Sequence, residues 1–254
     1  MIISIGNRKG GTAKTTTVVN LGRALSIKGK NILLIDMDPQ ANLSYSFGIS
    51  TEGCLLGEIL LDKYVDAGSI FYKDGIDLIP SNTDLQEYEA ELIRLNTPNT
   101  ALRDALSEVK SFYDFILIDC PPSASLLTMN ALVASDAVLI PMLMENLSLV
   151  GFEQMLDLVS KIKIDTHPEL HIIGVVGVLV DERRHLTTKI LEALRSNYGV
   201  DVFNNYVRQN VKAAEAPGVG QSVIDYAPNS NSAKDYMAIA NELLEITEDY
   251  GNTN

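Results

Sequence analysis

The sequence predicts an α/β fold with a mostly parallel, twisted β-sheet and helices on both of its faces. Two observations lead to this prediction. Short continuous apolar runs recur along the chain, and the stretches between them place apolar residues at helical spacing. Continuous apolar runs are typical of strands buried on both faces, and their alternation with helices is typical of this fold class. We expect one domain over residues 1–254, because no long linker interrupts the alternation.

The elements follow in order from the same two patterns. The apolar runs that predict strands are residues 2–5, 32–35, 76–79, 115–118, 137–140 and 172–180. Helical spacing predicts helices that include residues 18–25, 102–109, 152–159 and 236–246. No internal repeat accompanies this alternation.

Composition excludes several functional classes. The two cysteines, Cys54 and Cys120, are too few for a disulfide framework or a four-cysteine zinc site. No apolar run approaches the roughly 18 residues of a membrane span, and no signal peptide is recognisable, so we expect a cytoplasmic protein. The formal net charge of −13 argues against a protein that coats nucleic acid through its overall charge. A local basic face remains compatible with it.

A glycine-rich loop follows the first predicted strand directly. It reads Gly-Asn-Arg-Lys-Gly-Gly-Thr-Ala-Lys-Thr-Thr over residues 6–16, and the first 30 residues carry six basic side chains and no acidic one. Glycines allow backbone N–H groups to surround a phosphate, and the following helix N-terminus favours an anion. Lys14 is then placed for the β- and γ-phosphates and Thr15 for Mg²⁺. The departure from G-x-x-x-x-G-K-[ST] is Ala13, which stands at the last glycine. The alternative is a glycine turn before a helix.

Carboxylates follow two other predicted strands. Asp36 and Asp38 come at the end of the second strand, and Asp119 comes at the end of the run 115–118. Ligands of open parallel sheets bind at this carboxyl edge. A carboxylate in the position of Asp119 has the Walker B form, which holds magnesium, usually through water. A helix cap or turn residue is the alternative for each aspartate taken alone.

Together these segments resemble the ParA family of deviant Walker A partition ATPases, which have the P-loop NTPase fold. The matching segments are Lys-Gly-Gly-x-x-Lys-Thr-Thr at 9–16, Asp-x-Asp-Pro-Gln at 36–40 and Ile-Asp-Cys-Pro-Pro-Ser at 118–123. The similarity continues through residues 126–132, 139–141 and 210–217, so it covers nearly the whole chain. The family leaves the two positions after the glycine pair variable, so Ala13 departs only from the general phosphate loop.

The resemblance implies a Mg²⁺-dependent enzyme that hydrolyses ATP and water to ADP and phosphate, slowly without a partner. By this resemblance Lys9 reaches across an ATP-sandwich homodimer to the partner's phosphates, Asp38 positions the attacking water, and Asp36 lies near the outer shell of the metal. The implied metal residues are therefore Thr15, Asp36 and Asp119, and the implied catalytic residues are Lys9, Lys14 and Asp38. The implied nucleotide contacts are Lys9, Gly10, Gly11, Thr12, Ala13, Lys14, Thr15, Thr16, Asn210 and Pro217. Because Cys120 follows Asp119, the adjacent catalytic glutamate of many P-loop ATPases is absent; we expect Cys120 to be a small buried core residue.

Short members of the family bind duplex DNA without sequence preference in the ATP state and are stimulated by a ParB-like centromere-binding protein. The phosphate loop begins at Gly6, so we expect this short form, without an N-terminal helix-turn-helix domain, and nucleoid association in the ATP state. Residues 181–220 carry six basic side chains against five acidic ones. The candidate DNA contacts are Arg183, Arg184, Lys189, Arg195, Arg208 and Lys212. Many relatives have Pro-Arg-Asn where this chain has Arg-Gln-Asn at 208–210, so a basic residue has changed position.

Three functional hypotheses remain at this point. The first is a partition ATPase for a plasmid, a chromosome or an integrated element. The second is an ATP-gated switch that positions or regulates a protein cargo and does not bind DNA. The third, a metabolic kinase, finds less support, because no acceptor-substrate motif accompanies the loop. The acidic C-terminal segment, with Glu242, Glu245, Glu248 and Asp249, disfavours membrane-bound relatives, because an anionic bilayer repels it.

Overall fold

The computed structural model of the chain describes residues 1–50, 53, 55–181 and 185–253, and their side chains except those of 185–188 and 249–253. The strands are β1 (Ile2–Ile5), β2 (Ile32–Asp36), β3 (Phe71–Lys73), β4 (Ile76–Ile79), β5 (Phe115–Asp119), β6 (Ala137–Leu143) and β7 (His171–Val178). The first helices are α1 (Lys14–Ile27), α2 (Asn42–Ser46), α3 (Leu55–Asp62), α4 (Leu85–Leu92), α5 (Ala101–Leu106) and α6 (Leu126–Ala134). The remaining helices are α7 (Ser148–Asp165), α8 (His185–Asn197), α9 (Val211–Glu215), α10 (Val223–Tyr226) and α11 (Asn231–Thr253).

Within the described chain these strands form one sheet in the order β3-β4-β2-β5-β1-β6-β7. All neighbouring strands are parallel except β3 and β4, which form an antiparallel hairpin. The central strands β1, β2 and β5 are buried along their whole length, as continuous apolar runs predict. The predicted α/β class with a mostly parallel sheet is confirmed.

Helices cover both faces of the sheet because neighbouring strand residues point to opposite sides. Ile3 and Ile5 pack in a core with α1 and α11, whereas Ile2 packs in a second core with α3, α5 and α6. A third core lies on this second side, between β6, β7 and α7. Tyr236 of α11 is fully buried, so the C-terminal helix belongs to the core.

Two differences from the predicted elements have local causes. Strand β3 was not predicted, because three residues on an edge hairpin are too few to show a period of two. The last strand was expected to reach residue 180, but β7 ends at Val178 because Leu179 has a left-handed backbone with φ 52°. The other predicted strands fall on observed ones, and each predicted helix overlaps an observed one, although α5 ends at Leu106, before residue 109. Helices α2, α3, α4, α6, α8, α9 and α10 were not predicted.

The sheet brings the predicted carboxylates together. Strands β2 and β5 are neighbours, and Asp36 is the register partner of Asp119. Ile5, the last residue of β1, is also paired with Asp119. The glycine-rich loop therefore leaves β1 next to Asp119, and Asp36 lies one strand further along the sheet. None of the helices in the described residues is both long enough and apolar enough to span a membrane.

Candidate active site

The loop between β1 and α1 has the backbone shape of an anion-binding loop. Ala13, at the last glycine position of the general motif, has φ 54° and ψ 32°, and Gly11 has φ 74°. The methyl group of Ala13 makes this left-handed conformation costly, and the surrounding loop maintains it. No side chain caps the first turn of α1, so its first N–H groups are left for an anion.

Asn7 holds the loop in place through two hydrogen bonds. It is 2% exposed; its Nδ2 donates to the carbonyl of Pro141 over 2.8 Å, and its Oδ1 accepts from the backbone N–H of Lys9 over 2.9 Å. The Thr12 hydroxyl donates to the carbonyl of Lys9. We had not singled out Asn7, and its place between a strand and two basic residues gave no signal. The loop is therefore held in shape by the protein itself.

Beneath the loop, Thr15 and Asp119 form a hydrogen-bonded pair. The Thr15 hydroxyl donates to Oδ2 of Asp119 over 2.6 Å. The carboxylate is fully buried, and its Oδ1 has no hydrogen-bond partner among the residues that the structure describes. Burial, and then the charge of Asp36, raise the pKa of Asp119 well above its usual range. A buried carboxylate oxygen without a partner, beside a threonine hydroxyl, suits a cation or a water bound to one.

The described residues fit Mg²⁺ better than a metal that needs a complete protein cage. No group of three or more His, Cys, Asp or Glu side chains among them is arranged to hold a metal ion. Mg²⁺ commonly takes one or two protein ligands and completes its shell with water and phosphate oxygens. Thr15 and Asp119 offer such a partial set.

Asp36 is fully buried, and both of its carboxylate oxygens accept hydrogen bonds. Oδ2 accepts from the backbone N–H of Ser44 over 2.8 Å and from its hydroxyl over 2.7 Å, and Oδ1 accepts from the N–H of Asp38 over 3.3 Å. Burial raises the pKa of Asp36 to about 6, against these hydrogen bonds. Asp36 thus ties α2 and the turn at Asp38 to the end of β2.

Asp38 lies in an open cleft of about 490 Å³ with the phosphate loop. Residues Gly10 to Thr16 line the cleft, and so does Pro217. Asp38 is 8% exposed, and its Oδ1 accepts the N–H of Gln40 over 2.9 Å. The structure thus brings the predicted loop, Asp38 and Pro217 together. It adds residues that the sequence analysis had not singled out: Gln40, Asn42, Tyr45, Ser46 and Pro122.

Asn210 lines a smaller neighbouring cavity of about 300 Å³, which shares Gly11, Ala13 and Thr16 with the first. Its Oδ1 caps α9 by accepting the N–H of Lys212 over 2.9 Å. No hydrogen bond of its Nδ2 is found among the described residues. The cavity is mainly apolar, with Val178, Val207 and Ala213 in its wall.

Lys9 does not line the 490 Å³ cleft of its own chain. Its Nζ donates to the hydroxyl of Ser148 over 3.1 Å and lies 3.9 Å from Oε2 of Glu145, at the start of α7. Gly151 permits this approach, because a Cβ there would lie 2.9 Å from Cβ of Lys9. Nζ of Lys9 is therefore bonded to the start of α7, whereas Lys14 lines the cleft.

The candidate DNA contacts differ in their surroundings. Lys189, Arg195 and Lys212 are exposed, and Nζ of Lys212 lies 2.8 Å from a carboxylate oxygen of Glu215. Arg208 is partly buried and pairs with Asp235, with Nη2 2.6 Å and Nε 3.1 Å from the two carboxylate oxygens. Arg183 and Arg184 lie outside the described residues.

Cys120 is 1% exposed, which confirms the prediction of a buried core residue. Burial raises the pKa of its thiol to about 12. A neutral thiol in this position is a poor nucleophile.

Comparison with known proteins identifies relatives over the whole chain. A family model described as an AAA domain matches residues 1–172. The chain is 38% identical to the sporulation initiation inhibitor protein Soj of Bacillus subtilis over 247 residues, which cover 95% of this chain and 97% of the relative. It is 35% identical to the chromosome partitioning protein ParA of Caulobacter vibrioides, over 98% of this chain and 95% of the relative.

A solved structure with the same fold is that of a cobyrinic acid a,c-diamide synthase from Mycobacterium smegmatis, with a bound ATP analogue and magnesium. The TM-score is 0.85 at 30% identity, over 97% of this chain and 95% of that one. Sequence identity is higher for the Soj and ParA relatives.

Proposed function

The chain belongs to the ParA and Soj family of chromosome-partitioning ATPases, and from this premise we propose that residues 1–254 form one ATPase domain that binds ATP with Mg²⁺, dimerises around it and segregates DNA. The observation that carries the proposal is the Thr15–Asp119 pair, with its second buried carboxylate oxygen lacking a partner, beneath a preformed phosphate loop. The Mycobacterium structure, which holds an ATP analogue and magnesium, supports the same ligands here.

In this proposal the residues of the 490 Å³ cleft hold the triphosphate. Backbone N–H groups of Gly10 to Thr16 and the first turn of α1 surround the phosphates, and Lys14 neutralises their charge. Thr15, with Asp119 through water, holds the magnesium, which supplies charge neutralisation at the β- and γ-phosphates. Asn210 and Pro217 border the base, since Pro217 lines the cleft and Asn210 lines the cavity beside it.

Hydrolysis requires a water in line with the γ-phosphate. Asp38 is the carboxylate in the cleft wall, and we assign it the positioning of that water. Asp36 helps to position Asp38, because its Oδ1 accepts the N–H of Asp38. The residue after Asp119 is a cysteine with a neutral, buried thiol, so no second base adjoins the site there. Slow turnover, accelerated by a ParB-like partner, is the expected result.

Dimerisation is the step that we assign to Lys9. Its ammonium lies outside its own cleft, so a contact with the phosphates of a second chain does not compete with Lys14. ATP would then stabilise the dimer by mass action, because it binds the paired form more tightly than the single chain.

For DNA attachment we propose the exposed Lys189, Arg195 and Lys212, together with Arg183 and Arg184. Binding to duplex DNA without sequence preference then associates the ATP-bound dimer with the nucleoid in the cytoplasm. The ADP form leaves the DNA. Arg208, which we also predicted as a DNA contact, has its guanidinium on Asp235 and is the weakest candidate of the set. The second candidate function is an ATP-gated switch for a protein cargo without DNA binding. The net charge of −13 favours it, because an acidic protein is repelled by DNA.

The test is binding of the purified protein to arbitrary duplex DNA across a salt series, with Mg²⁺ and either ADP or a non-hydrolysable ATP analogue. We expect binding only with the analogue, falling steeply as salt increases, because phosphate contacts release counterions. Lys189→Ala with Arg195→Ala should weaken it, whereas Lys110→Ala, an exposed lysine before β5, should not. An ATP-dependent dimer that binds no DNA in either state contradicts partition and supports the cargo switch.

A further inference from the structure

One lysine outside the family motifs donates hydrogen bonds to two segments that contribute residues to the cleft. Lys73 lies on β3, the edge strand, and its Nζ donates to the carbonyl of Phe47 over 2.7 Å and to the carbonyl of Gly220 over 2.8 Å. Phe47 ends α2, and Gly220 ends the 3₁₀ turn Ala216–Val219. The ammonium therefore satisfies carbonyls at the ends of two separate helical segments.

Both segments contribute residues to the cleft. Asn42, Tyr45 and Ser46 of α2 line it, and so does Pro217 of the 3₁₀ turn. At the point where the segments meet, Gly48 and Gly220 both have left-handed backbones, with φ 65° and φ 66°. A Cβ on Gly220 would lie 3.4 Å from N of Gly48 and 3.2 Å from Nζ of Lys73. The two turns are in contact, and Lys73 donates a hydrogen bond to each of them.

The phosphate side of the cleft connects to the same lysine through hydrogen bonds. Asp36 accepts the N–H and the hydroxyl of Ser44, which fixes α2 to the end of β2. The carbonyl at the end of α2 then meets Lys73, and Lys73 meets the turn that carries Pro217. One ammonium group that does not line the cleft therefore bonds to both segments that do.

We infer that Lys73 is a positioning residue for ATP, which sets the distance between α2 and the turn at Pro217. The inference rests on the proposed function, because it assumes that ATP occupies the cleft. Without the ammonium, the carbonyls of Phe47 and Gly220 lose their common donor, and the two segments move apart. ATP affinity should then fall, while Lys14, Asp38 and Asp119 keep their own contacts and the chemical step is unchanged.

The experiment compares Mg·ATP binding and steady-state hydrolysis of Lys73→Met with those of wild type. We expect the dissociation constant and KM for ATP to rise about tenfold, the usual effect of losing charge-assisted hydrogen bonds, with kcat within about twofold. Lys73→Arg should recover most of the affinity, since a guanidinium can donate to both carbonyls. Lys110→Met, an exposed lysine before β5, is the matched control.

A second variant approaches the contact from the opposite side. Gly220→Ala places a methyl group between the two turns and also strains a left-handed backbone, so it should lower ATP affinity as well. If both changes act on one contact, the double variant should lose less than the product of the two single losses.

The outcomes separate this inference from the proposed function. A lowered urea midpoint of Lys73→Met with an unchanged ATP dissociation constant overturns the inference, because the lysine then stabilises the fold alone. Independent effects in the double variant also overturn it. Wild-type protein that does not bind Mg·ATP overturns the proposed function instead.

Discussion

Nζ of Lys9 lies 3.1 Å from the hydroxyl of Ser148 in the same chain. This contact holds the loop lysine at the start of α7, beside Glu145, and away from the cleft that contains Lys14. In the proposed dimer the same ammonium binds the phosphates of a second chain. The intramolecular contact must therefore break before the dimer forms, and it competes with ATP-dependent pairing.

Ser148→Ala should favour the dimer, because the hydroxyl no longer holds Lys9 in its own chain. We expect the concentration of a non-hydrolysable ATP analogue at half-maximal dimerisation to fall about threefold to tenfold, measured by sedimentation. Ser107→Ala, which removes an exposed hydroxyl bonded to the Asp104 carbonyl, is the control. Lys9→Ala should bind ATP and stay monomeric. An unchanged midpoint for Ser148→Ala would show that the contact does not oppose pairing.

Lys14→Ala should nearly abolish ATP binding. Lys14 is 8% exposed at the first position of α1 and lines the cleft with the loop. In the proposed complex its loss leaves the phosphates without their nearest cation. We expect the ATP dissociation constant to rise on the order of 100-fold, measured by titration calorimetry. Lys30→Ala, after the same helix, should bind as wild type does. Equal affinities of Lys14→Ala and wild type would refute the phosphate-loop assignment.

Asp38→Ala should bind ATP and dimerise but hydrolyse poorly. The carboxylate lies in the cleft wall, whereas the loop that holds the phosphates does not depend on it. Removing a residue that positions the attacking water should lower kcat by on the order of 100-fold. Phosphate release under saturating ATP measures this, with Asp84→Ala, an exposed aspartate, as the control. Normal turnover would remove the assigned role.

Cys120 should resist thiol reagents in the native protein. It is 1% exposed, and burial raises the pKa of its thiol to about 12, so the thiolate is scarce from pH 7 to pH 10. In a Cys54→Ser background, iodoacetamide should not label the folded protein at either pH and should label it promptly in urea. Prompt labelling of the native protein that levels off above about pH 9 would show an accessible thiol of ordinary pKa.

The sequence predicted the central part of this site because it depends on chain order. Loop 6–13 follows a buried strand, and Asp36 and Asp119 are the last residues of two others. Parallel strands bring their carboxyl ends to one edge whatever the helices do. The left-handed backbone at Ala13 agrees with its place in the motif, where glycine is usual. These features could be read from local patterns.

The supporting contacts could not be predicted, because they join residues far apart in sequence. Asn7 bonds to Pro141 and Lys73 bonds to Gly220, and no spacing rule links such pairs. Asp36 was assigned to the metal by resemblance, and its two hydrogen bonds from Ser44 became visible only in three dimensions. Arg208 was grouped with the exposed basic residues because exposure cannot be read from charge.

The C-terminal helix supplies the last prediction. Glu242 is one of the acidic residues on which we based the argument against membrane binding, yet it is only 8% exposed. Its two carboxylate oxygens accept the backbone N–H and side-chain amide of Asn204, over 2.6 and 3.1 Å, and those of Asn205, over 2.9 and 2.7 Å. Seven positions earlier, on the same face of α11, Asp235 holds Arg208. Helix α11 thus fastens the segment that leads to Asn210.

Glu242→Ala should therefore destabilise the protein, since it leaves four donors without their acceptor. We expect the free energy of unfolding to fall by about 3 kcal/mol, measured by urea denaturation, and ATP affinity to fall with it because Asn210 follows the released segment. Glu245→Ala, three residues further along the same helix and exposed, should change the free energy by less than about 0.5 kcal/mol. Equal stability of the two variants would mean that water replaces the Glu242 carboxylate at Asn204 and Asn205, and that α11 does not hold this segment.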